Sequence, residues 1–176
     1  MNHRIILGLA LLGLSVLSIQ AQTQPSVYTG LSEKECRKLK STSDDYLGRC
    51  RGVGGYSLIV SEGDLRQNIE VITPKGTKHS LELWSVVSSG FSMLGPKAEW
   101  RVTKQNGKTV PAALILRYNA NEDPEKPEKK TSYLVVTKIT ATEICVTDKI
   151  APNPKANDEA RRLADEAATK PCLKSP

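Results

Sequence analysis

The chain is poor in the residues that enzymes most often use for catalysis. Only two of its 176 residues are histidines, and the one beyond the N-terminal region, His79, stands between Lys78 and Ser80 in a polar, turn-like segment. A catalytic triad needs a histidine beside a nucleophile and an orienting acid, and no Gly-x-Ser-x-Gly motif frames a serine here. We therefore expect His79 to be an ordinary surface residue, and we predict no catalytic residue.

Motifs for metals and nucleotides are also missing. The cysteines lack the close spacing of a zinc site, and no Asp-x-Asp-x-Asp-Gly calcium loop occurs. The glycine-rich segment 51–55 precedes a predicted strand and lacks the Lys-Ser/Thr pair of a phosphate-binding loop. The sequence therefore predicts neither a metal nor a cofactor.

The chain has one long apolar run, at residues 5–19, after the basic Arg4. A run of this length is shorter than the roughly 20 residues that span a bilayer. It ends at Gln20-Ala21, and a small residue there suits signal peptidase. We predict a signal peptide over 1–21 rather than a membrane anchor, and hence a secreted or periplasmic protein with no membrane span after cleavage.

All four cysteines lie beyond this run, at Cys36, Cys50, Cys145 and Cys172. An even number in an exported chain predicts two disulfides. Four cysteines allow three connectivities, and nearest-neighbour pairing favours Cys36–Cys50 with Cys145–Cys172. Each bond would contribute about 3 kcal/mol by constraining the unfolded chain.

The charge is mildly basic. Lys and Arg number 25 and Asp and Glu 19, and loss of Arg4 with the signal leaves a net charge of about +5. This balance favours contact with an anionic partner, which is either an envelope component or a protein. Acids and bases are interspersed without a basic block, so we predict no nucleic-acid binding. The oligomeric state is left open.

Alternating apolar and polar residues predict one mainly β domain of the α+β class over 31–176, after a flexible arm over 22–30. We expect an antiparallel β-sandwich or partly closed barrel with its core around Trp84 and Trp100. Gly63 is expected to supply a left-handed turn residue, and Asn106-Gly107 predicts a tight hairpin. The predicted strands cover 56–61, 68–73, 81–87, 97–102, 112–118, 132–140 and 143–147.

Two short helices complete the predicted fold. Ser32 and Glu35 have the spacing of a capping box, which predicts an N-terminal helix over about 33–40. Asn157 is expected to cap a C-terminal helix that ends before Pro171. The exposed side of that helix is expected to carry the pairs Asp158–Arg162 and Arg161–Asp165.

The most unusual segment is 88–96, which holds the only phenylalanine and, beyond position 1, the only methionine. Its apolar residues either fold over the end of the sheet as core or form an exposed patch that docks a partner. We take this segment as the first candidate for a binding face, next to outward polar positions of the following strand. The candidate binding residues are Phe91, Met93, Leu94, Lys97 and Arg101.

Three functions fit these features. The leading hypothesis is a non-enzymatic exported binding protein, and the second is an inhibitor of an envelope-directed hydrolase. The third is a hydrolase of cell-wall or sugar substrates, which requires a pocket lined by two carboxylates. The acids considered for that role are Asp64, Glu70, Glu82 and Glu99.

Overall fold

The computed structural model describes residues 24–42 and 45–175, so the predicted signal peptide lies outside the described residues. Within these ranges the chain forms ten strands, two α-helices and one 3₁₀ turn. They are β1 (Ser26–Gly30), β2 (Arg37–Ser41), β3 (Asp45–Arg51), β4 (Ser57–Gly63), β5 (Arg66–Ile72), β6 (Lys78–Ser80), α1 (Leu83–Val86), β7 (Ser92–Gln105), β8 (Lys108–Ala120), β9 (Thr131–Ile139), β10 (Ile144–Ile150), α2 (Ala156–Asp165) and the 3₁₀ turn Ala167–Thr169.

The strands form one open mixed sheet in the order β10-β9-β8-β7-β5-β4-β3-β2, with β1 added to β7 and β6 added to β5. The link between β5 and β7 is parallel and involves Arg66 and Ser92. The disulfides are Cys36–Cys50 and Cys145–Cys172. The mainly β prediction and the nearest-neighbour disulfide pairing are therefore confirmed.

The main core lies between the two halves of the sheet. Trp100 is fully buried there, together with Leu58 and Ile69 from β4 and β5 and Leu114 from β8. A second, smaller core lies on the other side of β8 and β9. There α2 packs on the strands through its alanines, including Ala160. Strand β8 is therefore covered on both faces, as its nearly continuous apolar pattern predicts.

The prediction that both tryptophans belong to the core is wrong for Trp84, which is 49% exposed. The segment 81–87 was also expected to be a strand, whereas it contains α1. Glu82 has a left-handed φ of 50°, which turns the chain into this short helix. The Asn68 side-chain oxygen accepts a hydrogen bond from the Leu83 amide, at 3.1 Å. Leu83 takes the buried position, and Trp84 faces outward as a result.

The predicted N-terminal helix over 33–40 is also wrong. Ser32 and Glu35 do interact, because the Ser32 hydroxyl donates to the Glu35 carboxylate at 2.7 Å, but they close only a turn. The chain then continues as β2 against β3. The disulfide from Cys36 to Cys50 joins these two segments covalently, so tertiary pairing overrides the local helical pattern.

The predicted flexible arm over 22–30 is corrected from Ser26 onward. Strand β1 runs antiparallel to β7, with Val27 opposite Trp100. The Trp100 indole N–H donates to the Thr29 hydroxyl at 2.8 Å. This pairing gives β1 a place in the sheet beside the main core.

The C-terminal helix is confirmed as α2, although the expected cap is not. The helix starts at Ala156 after Lys155 and has no side-chain cap, so Asn157 lies inside its first turn. The hairpin prediction at Asn106-Gly107 holds, since both residues have positive φ. No helix in the two described ranges is long and apolar enough to cross a bilayer.

Candidate functional site

The structure divides the apolar segment 88–96 between surface and core. Phe91 and Met93 are 49% and 46% exposed. Leu94 is partly buried and packs against the main core. The segment therefore lies partly on the surface and partly in the core, where Leu94 contributes to packing. Leu65, from the turn between β4 and β5, is 62% exposed and lies on the same side. We call Leu65, Phe91 and Met93 the apolar tip.

The turn that carries Leu65 has an unusual backbone. Asp64 and Leu65 have φ of 51° and 57°, whereas Gly63, which was expected to take this conformation, does not. The register explains the difference: Gly63 still pairs with Arg66, so the two residues between them form the whole turn. Two-residue turns in which both residues have positive φ favour Asn-Gly. A leucine in this left-handed backbone conformation costs about 1–2 kcal/mol.

Backbone hydrogen bonds join the parts of the apolar tip. The Ser92 amide donates to the Leu65 carbonyl at 2.9 Å, which holds the turn beside the start of β7. The Asn121 amide donates to the Phe91 carbonyl at 2.8 Å and fixes the beginning of the 121–130 loop. The apolar tip is thus built from two segments that are far apart in the sequence, and the 121–130 loop is held beside it.

Two shallow clefts separate the apolar tip from the 121–130 loop. One has a volume of about 390 Å³ and lies between Phe91 and the loop prolines Pro124 and Pro127. The other, of about 240 Å³, has Leu65 and Met93 in its lining together with Pro127. Prolines have little conformational freedom to lose, so these clefts can receive an apolar side chain at low entropic cost.

Charged groups of both signs surround these clefts. The Arg66 guanidinium lies 5.2 Å from the centre of the Phe91 ring and forms an ion pair with Asp64. The Lys130 ammonium group lies 3.6 Å from the Met93 sulfur. Glu122 lines the larger cleft. The rim is therefore mixed in charge and not a uniformly basic surface.

The two basic candidates on β7 have different positions. Lys97 is exposed, as predicted. Arg101 is only 2% exposed, so its assignment as an outward binding residue is wrong. Its Nε and Nη2 donate to the two carboxylate oxygens of Asp165 at 2.8 and 2.9 Å. Helix α2 covers this part of β7, which the strand pattern alone does not show.

Glu99, which lies between Lys97 and Arg101 on β7, also forms an ion pair with α2. Arg161 of α2 donates to its carboxylate at 2.7 Å, and Ser26 donates at 2.5 Å. Burial by itself would raise the pKa of Glu99, but hydrogen bonds from Arg161 and Ser26 outweigh it and hold that pKa below its ordinary value of 4.5. The hydrogen bond with Glu99 in turn raises the pKa of Arg161.

These contacts correct the predicted ion pairs of α2. Arg161 is bound to Glu99, and Asp165 is bound to Arg101, so both side chains anchor the helix to β7. Arg162 pairs with Glu166 at 3.2 Å instead of with Asp158. These ion pairs therefore have a structural role, because they attach α2 to β7.

The acids considered for a hydrolase are not brought together in a cavity. Of the four cavities compared on the described surface, one has Glu99 in its lining, and none has two of those acids. The metal-like grouping Glu143, Cys145 and Cys172 contains a disulfide, so its cysteines cannot act as thiolate ligands. Neither arrangement gives support to metal or carboxylate chemistry.

Sequence reasoning identified Phe91 and Met93 but missed Leu65 and the prolines opposite them. The available signal for Leu65 is a leucine directly after the turn residues Gly63 and Asp64. Comparison with known proteins found no matching family model, curated protein or solved structure. The functional argument therefore rests on the surface of this chain.

Proposed function

We propose that this protein is an exported, non-enzymatic binding protein that docks a protein partner through the apolar tip. The observation that carries the proposal is the exposure of Leu65, Phe91 and Met93 at one end of the sheet, at 62%, 49% and 46%. Scattered single apolar residues are normal on a surface. A cluster of three, beside clefts lined by proline, is typical of an interaction site.

The surroundings of the tip favour a protein over an anionic surface. Protein interfaces commonly have an apolar centre and a polar rim that excludes water. Here the rim contains Arg66 and Lys130 but also Glu62 and Glu122. A partner with a protruding apolar side chain and a rim of mixed charge would match this arrangement.

The backbone at Leu65 supports the same conclusion. A leucine in a left-handed turn costs stability, and its high exposure means that burial within the chain does not compensate. Departures from local preference are concentrated at functional sites. Burial of Leu65 against a partner would give this residue the packing that it lacks in the free protein.

Export is supported by the predicted signal peptide and by two disulfides, which persist in oxidising compartments. An inhibitor of an envelope-directed hydrolase is a special case of the same proposal, in which the partner is the enzyme. Stoichiometric inhibition that depends on the apolar tip would identify that case.

The test compares two double variants of the oxidised protein. Phe91→Ser with Met93→Ser removes two of the three side chains of the apolar tip, and Leu39→Ser with Leu173→Ser removes two leucines of similar exposure elsewhere. Both are checked for an unchanged melting temperature. Each protein is then incubated with the soluble exported fraction of the source cells, and complexes of defined mass are measured at low and high salt.

We expect wild type and the control variant to form one stoichiometric complex that survives high salt, because apolar burial is not screened. The tip variant should lose it. Equal loss in both variants, or a complex that dissociates in salt and is indifferent to the tip, would contradict the proposal. A tip-dependent dimer of the protein alone would show that a second copy, and not another protein, is the partner.

A further inference from the structure

Three arginines lie side by side on the outer face of β2 and β3. Arg37 is directly opposite Arg49 in the register of these antiparallel strands. Arg51 follows two residues later and therefore points to the same side as Arg49. All three are exposed. We call Arg37, Arg49 and Arg51 the arginine cluster.

No acid within the described ranges neutralises the cluster. The Arg49 guanidinium donates through Nε and Nη2 to the Ser57 hydroxyl, at 3.1 and 3.0 Å. The side chains of Arg37 and Arg51 form no ion pair or hydrogen bond with the described residues. By contrast, two lysines of β2 form ion pairs, Lys38 with Glu33 and Lys40 with Asp45.

This arrangement is unfavourable in the free protein. Like charges directly opposite each other in a sheet repel. The Cys36–Cys50 disulfide nevertheless holds the cluster together: Cys36 directly precedes Arg37, and Cys50 lies between Arg49 and Arg51 with its side chain buried. The backbone positions of the three charges are thus fixed before any ligand arrives, which lowers the entropic cost of binding.

We propose that the arginine cluster binds a linear polyanion that carries repeated phosphate groups. Guanidinium groups present planar forks of donors that fit phosphate oxygens in a bidentate manner. Arg37 lies opposite Arg49, and Arg51 is the next residue on the same side of β3, so neighbouring Cβ atoms of the cluster are about 5–7 Å apart. That spacing spreads three positive charges along the two strands, which suits successive phosphate groups of one chain.

This surface is independent of the apolar tip. Arg51 lies opposite Ser57 at the start of β4, whereas the tip turn follows Gly63 at its end. Arg49 lies opposite Ile59, so the arginine cluster is four to six residues of strand from Gly63, or about 13–20 Å. The inference therefore goes beyond the proposed protein partner, and either can fail without the other.

The experiment measures binding of fluorescent long-chain inorganic polyphosphate to the oxidised protein at two salt concentrations. The test variant is Arg37→Gln, Arg49→Gln, Arg51→Gln. The control is Lys75→Gln, Lys108→Gln, Lys129→Gln, which removes the same charge from three exposed lysines elsewhere. Orthophosphate, poly-glutamate and anionic lipid vesicles are compared as ligands. Thermal unfolding checks that both variants fold.

We expect the arginine variant to bind polyphosphate at least tenfold more weakly and the lysine control within about threefold of wild type. Three phosphate contacts predict a log–log salt slope near −2 for wild type. Polyphosphate should also raise the melting temperature of wild type more than that of the arginine variant.

Four results would overturn the inference. Equal losses in both variants would mean that net charge alone attracts the polymer. Equal affinity per phosphate for orthophosphate would exclude a polymer site, and equal affinity for poly-glutamate would exclude selection of phosphate. Binding to anionic vesicles without binding to polyphosphate would show that a lipid headgroup is the ligand.

Discussion

Leu65 is the residue at which local stability and the proposed docking role conflict. Its left-handed backbone, with φ of 57°, suits glycine or asparagine better than leucine. Its side chain is mostly in water, so the folded chain gains little from its apolar surface. A residue that is unfavourable on both counts points to a function outside the isolated chain.

Leu65→Gly should therefore raise the free energy of unfolding by about 1 kcal/mol, because glycine adopts positive φ without steric cost. Urea denaturation of the oxidised protein measures this. The matched control is Leu39→Gly, in strand β2, which should lower the free energy of unfolding by about 0.5–1 kcal/mol. A loss of stability in both variants would show that Leu65 is not strained.

Arg101 is a residue whose charge is needed inside the protein. Arg101→Gln leaves the Asp165 carboxylate without its two strong donors in a site that is largely closed to water. We expect the free energy of unfolding to fall by about 3 kcal/mol. Lys104→Gln, at an exposed position of the same strand, should change it by less than about 0.5 kcal/mol.

A second variant separates loss of the charge pair from loss of packing. Arg101→Met combined with Asp165→Leu replaces both partners by apolar groups and should recover most of the stability. The measurement is again urea denaturation. If the double variant is as unstable as Arg101→Gln, the side chain matters for its shape and not for its charge.

At the scale of the element, α2 is attached to β7 mainly by two carboxylate–guanidinium pairs. Its buried residues, Ala160 and Ala164, are small and cover little apolar area. The Glu99–Arg161 and Arg101–Asp165 pairs hold the helix against the strand.

This attachment should make stability depend on pH. The pKa of Glu99 is lower in the folded protein than its ordinary value of 4.5. The unfolded chain therefore takes up the proton first, so the stabilisation is complete above about pH 5 and is lost as the pH falls through the folded pKa. Urea denaturation from pH 6 to pH 3 should show a smaller decline in Glu99→Gln than in wild type. Parallel declines would contradict the assignment.

Most strands could be predicted because their patterns are local. The run 112–118 shows a continuous apolar pattern, and β8 is indeed covered by core on both faces. The pattern at 33–40 was equally clear but misleading, because pairing with β3 and the Cys36–Cys50 bond outweigh a helix propensity of a few tenths of a kcal/mol per residue. Arg101 looked exposed because strand alternation cannot show that a helix 60 residues later covers it.

At the scale of the whole molecule, the sheet brings together residues that the sequence separates. No basic block is visible in the chain, yet pairing of β2 with β3 places Arg37 beside Arg49. The apolar tip likewise combines a turn with the start of β7, beside a proline-containing loop. Both candidate surfaces were therefore inaccessible to sequence reasoning, except for Phe91 and Met93.

The separation of these two surfaces leads to a prediction for the intact protein. Sites more than about 7–10 Å apart without shared partners contribute additively to free energy. The apolar tip and the arginine cluster lie about 13–20 Å apart along β4. The tip variant should bind polyphosphate as wild type does, and the arginine variant should retain the protein partner.

A variant that combines the tip and arginine substitutions should lose affinity for each ligand by the factor measured for the separate variants, within about 0.5 kcal/mol. Their salt dependence should differ, since polyphosphate binding depends on counterion release and docking at the tip depends on apolar burial. Simultaneous binding of both ligands to wild type would establish a protein that links a phosphate polymer to a protein partner. Mutual exclusion would instead mean that one ligand covers the whole outer face of β2 to β5, and the two sites would have to be treated as one.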